Sequence, residues 1–470
     1  MGFSELVSGK QTIAIVCNQW GDSGKGKFVH LFSEWADIIA RGTGGPNAGH
    51  TVVINDKTYI FHTIPSGILY DCAGKTNVMG PGMVIDLKGL GEELDTLDKE
   101  RASYNHLVIS NAANVILPQH KIRDGAAFAS MAKGSVGSTG RGIGPCYADA
   151  TARTGITLAD LFDKDILAKK LRENLKNYPD LVDKLDVDEI IEEQLKHFER
   201  IRPFVRETHY LMNESLAAGK KILLEGAQGL LLSIMFGTTR YQTSSDCSII
   251  GTAQGVGLNP AVVDLTLGIV KAPYMTRVGN GPFPTEFGGV LAEEYCADVS
   301  HNKKVELANY NLEALLRSPR EFDQGLYARI KGNEYGATTG RPRRTGWIDL
   351  VALRYAAMIN KSAKAKRADV IITKPDVMDE FDKIKLCVGY TLGGVITTRF
   401  PHRSELLEQC APIYVTMDGW KTPISDFRDY NEIKRKAPNL ANILFFIEEY
   451  AGVNIRSVSV GADNDQTIFR

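Results

Sequence analysis

The stretch QWGDSGKGK, residues 19–27, packs three glycines, an aspartate and two lysines into nine positions. Gly21, Gly24 and Gly26 can let backbone amides approach phosphate oxygens, and Lys25 and Lys27 can offset the phosphate charge. A Walker A loop carries Ser or Thr directly after its lysine, where the hydroxyl reaches magnesium. Gly26 takes that place here, and Asp22 sits in the middle of the loop. An acid among phosphates is repelled unless a cation lies between them. Asp22 is therefore a candidate magnesium ligand, a general base, or both. The other reading of the loop is a tight strand-to-helix turn with solvated lysines.

Further loops carry chemistry-bearing residues between small ones. ARGTGGPNAGHTVV, residues 40–53, sets Asn47 and His50 among glycines, and a histidine there could donate to a phosphate oxygen. GSVGSTGRGIGP, residues 134–145, is a second glycine nest with Thr139 and Arg141 as polar tips. EGAQG, residues 225–229, places Gln228 at the carboxyl end of an apolar run. Gln228 either offers donor and acceptor to a purine edge or is a buried structural glutamine. YGATTGRPRRTGW, residues 335–347, gathers Thr338, Thr339, Arg341, Arg343 and Arg344 between glycines. Arginine forks match carboxylates and phosphates. ITKPD, residues 372–376, ends a strand-like run with Asp376, which could accept the ring NH and the amine of guanine, and Lys374, whose stem could lie on the ring.

Loops of this kind must be held by strands. The apolar runs TIAIVC, NVMG, HLVIS, KILLEG, DVIIT, KLCVGYTL and SVSVG are each bounded by Gly, Asn or Asp, and several precede a glycine loop and a helical pattern. This alternation predicts an α/β fold with a mainly parallel central sheet, helices on both faces and a P-loop-like nucleotide-binding loop. WIDLVALRYAAMIN and NLANILFFIEEYAG read as amphipathic helices, and residues 158–219, charged and poor in glycine, as a helical subdomain. Chemistry-bearing loops run from residue 21 to residue 461, which predicts one integrated catalytic unit over 1–470.

The bulk composition narrows the partners. A net charge of -1 lacks the basic excess of a nucleic-acid binder. No run is long and apolar enough to span a bilayer, and no secretory signal or myristoylation pattern is read at the start. Seven scattered cysteines without a C-x-x-C pair predict reduced thiols and a cytoplasmic protein rather than a zinc site.

Nine collinear stretches resemble the adenylosuccinate synthetase family: QWGDSGKGK, GGPNAGHTV, HTIPSGIL, STGRGIGP, EGAQGLLL, TSSD, TRVGNGPFPTE, YGATTGRPRRTGWIDLVALRYA and TKPDV, spanning residue 19 to about 377. The resemblance implies a GTP-dependent ligase joining L-aspartate to inosine monophosphate (IMP) through 6-phosphoryl-IMP, with one Mg²⁺ per subunit. Carried onto this sequence, it makes Asp22, His50, Lys25 and Gln228 catalytic, and Asp22 and the Gly49 carbonyl the metal ligands. GTP would meet Gly21, Asp22, Ser23, Gly24, Lys25, Gly26, Lys27, Gly49, His50, Thr51, Arg343, Lys374, Pro375, Asp376, Ser459, Val460 and Gly461. IMP would meet Asp22 to Lys25, Asn47, Ala48, Gly49, His50, Thr139, Gln228, Thr243 and Arg341, and Arg153 of a neighbouring subunit, which implies a homodimer. The aspartate would be clamped by Ala337, Thr338, Thr339, Gly340, Arg341, Pro342 and Arg343.

The sequence departs from that family in three places. Ser23 stands where the family carries a glutamate, which raises the alternative of a paralogous ligase acting on another purine nucleotide such as (d)GMP. The stretch SVGADNDQ matches the family's guanine site only at Ser459 and Gly461. Residues 287–333 form an atypical insertion in which VELANYNLEALLRS reads as one helix, to cover the aspartate loop, extend a subunit contact, or neither.

Overall fold

The computed structural model describes residues 2–54, 57–130, 140–298, 300–336 and 340–470. A ten-stranded sheet runs in the order Thr467–Phe469, Val453–Ser459, Ala368–Thr373, Leu265–Lys271, Thr12–Cys17, Ile222–Glu225, Ile38–Arg41, Thr76–Met79, Leu107–Ser110, Val205–Arg206. Every pairing in it is parallel except that of Val453–Ser459 with Thr467–Phe469. The central strands are buried along their whole length, the pattern of a sheet covered on both faces.

Alternation along Thr12–Cys17 sorts the two faces. Ile13 and Ile15 meet Phe28, Val29 and Phe32 of the helix Lys25–Ser33, while Ala14 points into a separate core with Met212, Leu224 and Ala253. Each large apolar side chain buried in these layers is worth about 1.5–3 kcal/mol. Helices Leu350–Asn360 and Pro438–Ala451 pack together in the largest core, on Val370, Ile372 and Val458 of the sheet. The helix Leu350–Asn360 starts at Asp349, whose carboxylate accepts the amides of Val351 and Ala352 at 3.0 and 2.9 Å.

Two sequence expectations change. The run KLCVGYTL does form a strand, Lys383–Leu392, but it lies in a separate three-stranded antiparallel sheet with Val395–Thr397 and Ala411–Asp418. The stretch VELANYNLEALLRS forms two helices, Lys303–Asn309 and Leu312–Arg317. Asn311 breaks it, because its side chain caps the second helix by accepting the amide of Ala314 at 3.0 Å. Residues 158–219 hold the helices Lys164–Leu175, Val187–Ile201 and Thr208–Ala217, interrupted by the edge strand Val205–Arg206. All seven cysteines are free thiols.

Candidate functional site

Ligands of open α/β sheets sit beyond the carboxyl ends of the strands, near the point where strand order reverses. Five of the strands deliver their following loops to one place here. Thr12–Cys17 leads to residues 18–24, Ile38–Arg41 to 42–49, Ile222–Glu225 to 226–229, Ala368–Thr373 to 374–376 and Val453–Ser459 to 460–461. A cleft of about 390 Å³ opens among them, lined by Asp22 to Phe28, Gly49 to Thr51, Arg343, Lys374, Ser459 and Gly461.

The phosphate loop is shaped by residues that accept left-handed backbone. Gly24 at φ +91° is the N-cap of the helix Lys25–Ser33, and no side chain satisfies that helix end. Its first amides are therefore available to an anion, with the helix dipole behind them. Gly26 is required by packing: a Cβ there would lie 2.7 Å from the Thr51 carbonyl oxygen. Asp22 itself is left-handed at φ +48°, as are Gln228 at +47° and Lys374 at +59°. In non-glycine residues such conformations cost of order 1 kcal/mol each and persist where the surroundings impose them.

One wall of the cleft is built around Glu225, the fully buried last residue of its strand. Its carboxylate accepts the His50 ring at Nδ1, the Ser66 hydroxyl at 2.6 Å and the Ser66 amide at 2.8 Å. Burial would raise the carboxyl's pKa, but His50, Arg41 and Ser66 outweigh it and hold it low. Burial pushes the His50 imidazole down against the pull of Glu225. The ring is thus neutral near pH 7 and tied through Nδ1, while its buried Nε2 has no partner in the protein. The loop that carries it is fixed by Arg41, fully buried, which donates to the carbonyls of Thr43, Gly45, His62 and Thr63.

Three residues expected to meet the purine nucleotide come together although they are remote in sequence. Gln228 donates to Asn47 Oδ1 at 3.0 Å, and Asn47 donates to Thr243 at 3.4 Å. Lys25 reaches the Gln228 backbone carbonyl, and Ala48 accepts from His62 at 2.6 Å.

The other wall is cationic. Arg343 pairs with Asp22 at 2.6 Å and with Glu334 at 2.9 Å. Fully buried Glu334 also takes Lys271 at 2.7 Å, Lys374 at 2.9 Å and the Tyr274 hydroxyl at 2.7 Å. Burial alone would raise the pKa of both carboxyls. For Glu334 the three cations outweigh it and hold the group well below the usual carboxylate range. For Asp22, Arg343, Lys271 and Lys25 together do the same. Burial brings the Lys271 amine down to about 7.

At the far end, Lys27 donates to the Ser459 hydroxyl at 2.7 Å and the Gly461 carbonyl at 2.9 Å, so the first strand's loop is tied to the last strand's. Asp376 follows Lys374 and Pro375 in a short 3-10 turn, and burial raises its carboxyl to about 6. One of its oxygens, Oδ1, is buried with no partner in the protein. Val460 is buried, just after the strand Val453–Ser459.

Other expected residues fall elsewhere. Thr139, Ala337, Thr338 and Thr339 lie outside the described residues. Arg341 is exposed and Pro342 buried, in a loop closed by the Gly336 amide on the Arg341 carbonyl at 2.9 Å and the Gly340 amide on the Gly336 carbonyl at 2.8 Å. Arg153 is exposed, left-handed at φ +65°, and just past the helix Ile143–Thr151. It does not line the cleft. Arg344, grouped by sequence with the anion-binding forks, is turned away and buried in a two-pronged pair with Glu286. Ser23 is buried, with its hydroxyl unpartnered in the protein.

Sequence reasoning did not single out Glu225, Arg41, Lys271 or Glu334. Each is a charged residue at the end of a strand or beside a glycine loop, and that position was the available signal.

Mg²⁺ suits this donor set. Hard oxygen ligands on the cleft are the half-buried Asp22 carboxylate and the backbone of Gly49. Among the described residues no three of His, Cys, Asp and Glu gather into a protein-only cage. A cation held by one carboxylate, a carbonyl, phosphates and water is the usual manner for Mg²⁺.

The open parallel sheet and its charged cleft define a nucleotide-dependent α/β enzyme that works on phosphoryl groups. The sequence profile described as adenylosuccinate synthetase matches residues 14–468. The chain is 40% identical over 458 residues to the adenylosuccinate synthetase of Clostridium novyi, covering 96% of this chain and 97% of the relative. It is also 40% identical over 464 residues to that of Carboxydothermus hydrogenoformans, covering 97% and 98%. Among solved structures, fully ligated adenylosuccinate synthetase from Plasmodium falciparum superposes with a TM-score of 0.83 at 33% identity, over 98% of this chain and 100% of that one. The cyanophage S-2L succinoaminodeoxyadenylate synthetase bound to dGMP and dATP superposes at 0.55 with 18% identity, over 98% and 95%, and shares the fold alone. The chain belongs to the adenylosuccinate synthetase family, and it is a GTP-dependent ligase of purine biosynthesis acting on IMP and L-aspartate.

Proposed function

We propose that Asp22 is the general base of this ligation and that the two walls of the cleft divide the remaining work. The observation that carries the reading is the placement of Asp22 within the phosphate loop, left-handed, lining the cleft and paired with Arg343. Asp22 removes the proton from purine N1, O6 attacks the γ-phosphorus of GTP, and GDP leaves. The amine of L-aspartate then attacks C6, and the C6–O bond breaks to release phosphate. A purine oxygen leaves poorly, and phosphorylation turns it into a good leaving group. Positioning and charge stabilisation supply the rest.

His50, oriented by Glu225, presents Nε2 to the phosphoryl bridge. A bound triphosphate adds negative charge beside the ring and favours its protonated, donating form. Lys25 and the amides after Gly24 hold the transferring group. Asn47, Gln228 and Thr243 hold IMP. Arg343 and Arg341, with the loop of 337–342, clamp the aspartate carboxylates, and Arg343 must leave Asp22 as ligands bind. Asp22 and Gly49 would hold Mg²⁺, which supplies charge neutralisation at the phosphates when bound.

Lys374 and Asp376 select guanine, with Ser459, Val460 and Gly461 beside the ring. The raised pKa and unpartnered oxygen of Asp376 suit a group that awaits two N–H donors. Arg153 reaches the IMP phosphate of a second subunit in a homodimer, and the enzyme works in the cytoplasm. Among the described residues no helix is long and apolar enough to cross a membrane.

The test is Asp22→Asn, assayed with IMP, GTP, L-aspartate and Mg²⁺ for adenylosuccinate and phosphate. The expected result is a kcat at least about a hundredfold lower, the loss of a general base, with all three KM values within a few-fold. A kcat within a few-fold of the parent overturns the assignment.

A further inference from the structure

We infer that Glu334 is a positioning residue that links the guanine-binding lysine to the aspartate clamp, so that GTP and L-aspartate bind with coupled affinities. This rests on the assignment of Lys374 and Arg343 given above. The two oxygens of Glu334 are divided. Oε1 takes Lys374 at 2.9 Å and the Tyr274 hydroxyl at 2.7 Å, on the guanine side. Oε2 takes Lys271 at 2.7 Å and Arg343 at 2.9 Å, on the clamp side. Arg343 continues to Asp22 at 2.6 Å, so an unbroken chain of charged contacts runs Lys374–Glu334–Arg343–Asp22.

The geometry leaves the carboxylate little freedom. It is fully buried, and Lys271 and Tyr274 hold it from the end of one strand and the start of the next. Asn333 and Tyr335, on either side of it in the chain, line the cleft. Three basic side chains this close together, fully buried Lys271 among them, are tolerable only around such a carboxylate. A guanine ring that fixes Lys374 therefore fixes the plane of the carboxylate, and with it the position from which Arg343 meets an aspartate carboxylate. The converse follows by linkage: bound aspartate holds Arg343 and, through Glu334, Lys374.

The test compares the parent with Glu334→Gln, which keeps the shape and removes the charge. KM is measured for GTP, L-aspartate and IMP, and KM for aspartate is measured at low and at saturating GTP. In the parent, saturating GTP should lower the aspartate KM. In Glu334→Gln the KM values for GTP and aspartate should each rise tenfold or more, the IMP value should move less than threefold, and the GTP effect on aspartate should vanish. A merely structural carboxylate would lower the melting temperature and leave these ratios in place, and that result overturns the inference. If Glu334→Gln does not fold, Tyr274→Phe removes one donor from Oε1 alone. It should raise the GTP KM two- to fivefold and weaken the coupling, and unchanged values also overturn the inference. Lys374→Ala separates the two levels. An unchanged GTP KM there sinks the guanine-site assignment itself, whereas a raised one beside an unaltered aspartate KM in Glu334→Gln sinks only the coupling.

Discussion

Glu225 and Glu334 are both fully buried, both held low in pKa and both behind residues that line one cleft, yet they are surrounded differently. Glu225 is met by an imidazole, a hydroxyl and an amide. Glu334 is met by two lysines, an arginine and a phenol. The first environment lets one carboxylate aim a titratable ring and set which nitrogen is left unpartnered, the one the proposed mechanism gives to substrate. The second lets one carboxylate hold basic groups close together that would otherwise repel when charged. A buried carboxylate can thus serve turnover or serve affinity, and its donors decide which.

The largest expected effect separates these roles. Glu225→Ala should lower kcat by about a hundredfold, since His50 loses the partner that orients it, while every KM stays within about threefold. A change in KM without a change in kcat would erase the distinction from Glu334. Next, Asp376→Ala should raise the GTP KM by about ten- to a hundredfold, the loss of a buried acceptor for two donors, and leave IMP and aspartate unaffected. An equal loss with all three substrates would place Asp376 in the general fold instead. Arg153→Leu should raise the IMP KM about tenfold with the melting temperature unchanged. At IMP well below the raised KM, an equal mixture with Asp22→Ala subunits should reach roughly a quarter of parental activity, because half of random dimers carry one complete site. No recovery would count against an arginine shared between subunits.

The smallest effect concerns a histidine outside both walls. His30 is buried against Tyr70, ring centroids 4.8 Å apart, and burial lowers its pKa to about 4 from the usual 6.5. Below pH 6.5 the unfolded chain takes up a proton that the folded chain does not, so stability falls as pH drops from 6.5 towards 4. His30→Gln should narrow the stability difference between pH 7 and pH 5 by about 1–2 kcal/mol, read from urea melts at each pH. An unchanged difference would show that His30 is not the group responsible.

The parallel sheet was legible because its strands are short, apolar and followed by glycine, a local pattern. Asp22, His50, Asn47 and Gln228 were legible as candidates for the same reason, each lying among small residues, and Lys374 and Asp376 because they close an apolar strand-like run. Their mutual arrangement was not, since Asn47 meets Gln228 across 181 residues and Lys27 meets Gly461 across 434. Glu334 stayed hidden because a glutamate beside a glycine loop reads as solvated until Lys271 and Lys374 from other strands, and Arg343 across its own loop, surround it. Arg344 misled for the opposite reason. It shares its motif with Arg343, but strand pairing turns it towards Glu286, and composition carries no sign of which way alternate residues face. The antiparallel placement of Lys383–Leu392 likewise depends on partners that local sequence does not specify.

The bonds from Lys27 to Ser459 and Gly461 also expose a vulnerability. A protease that trims the chain back past Ser459 would leave most of the core in place and the phosphate loop intact in sequence. It would nevertheless strip that lysine of both its acceptors and open the cleft at one end. Damage at the tail would surface as a defect at the head.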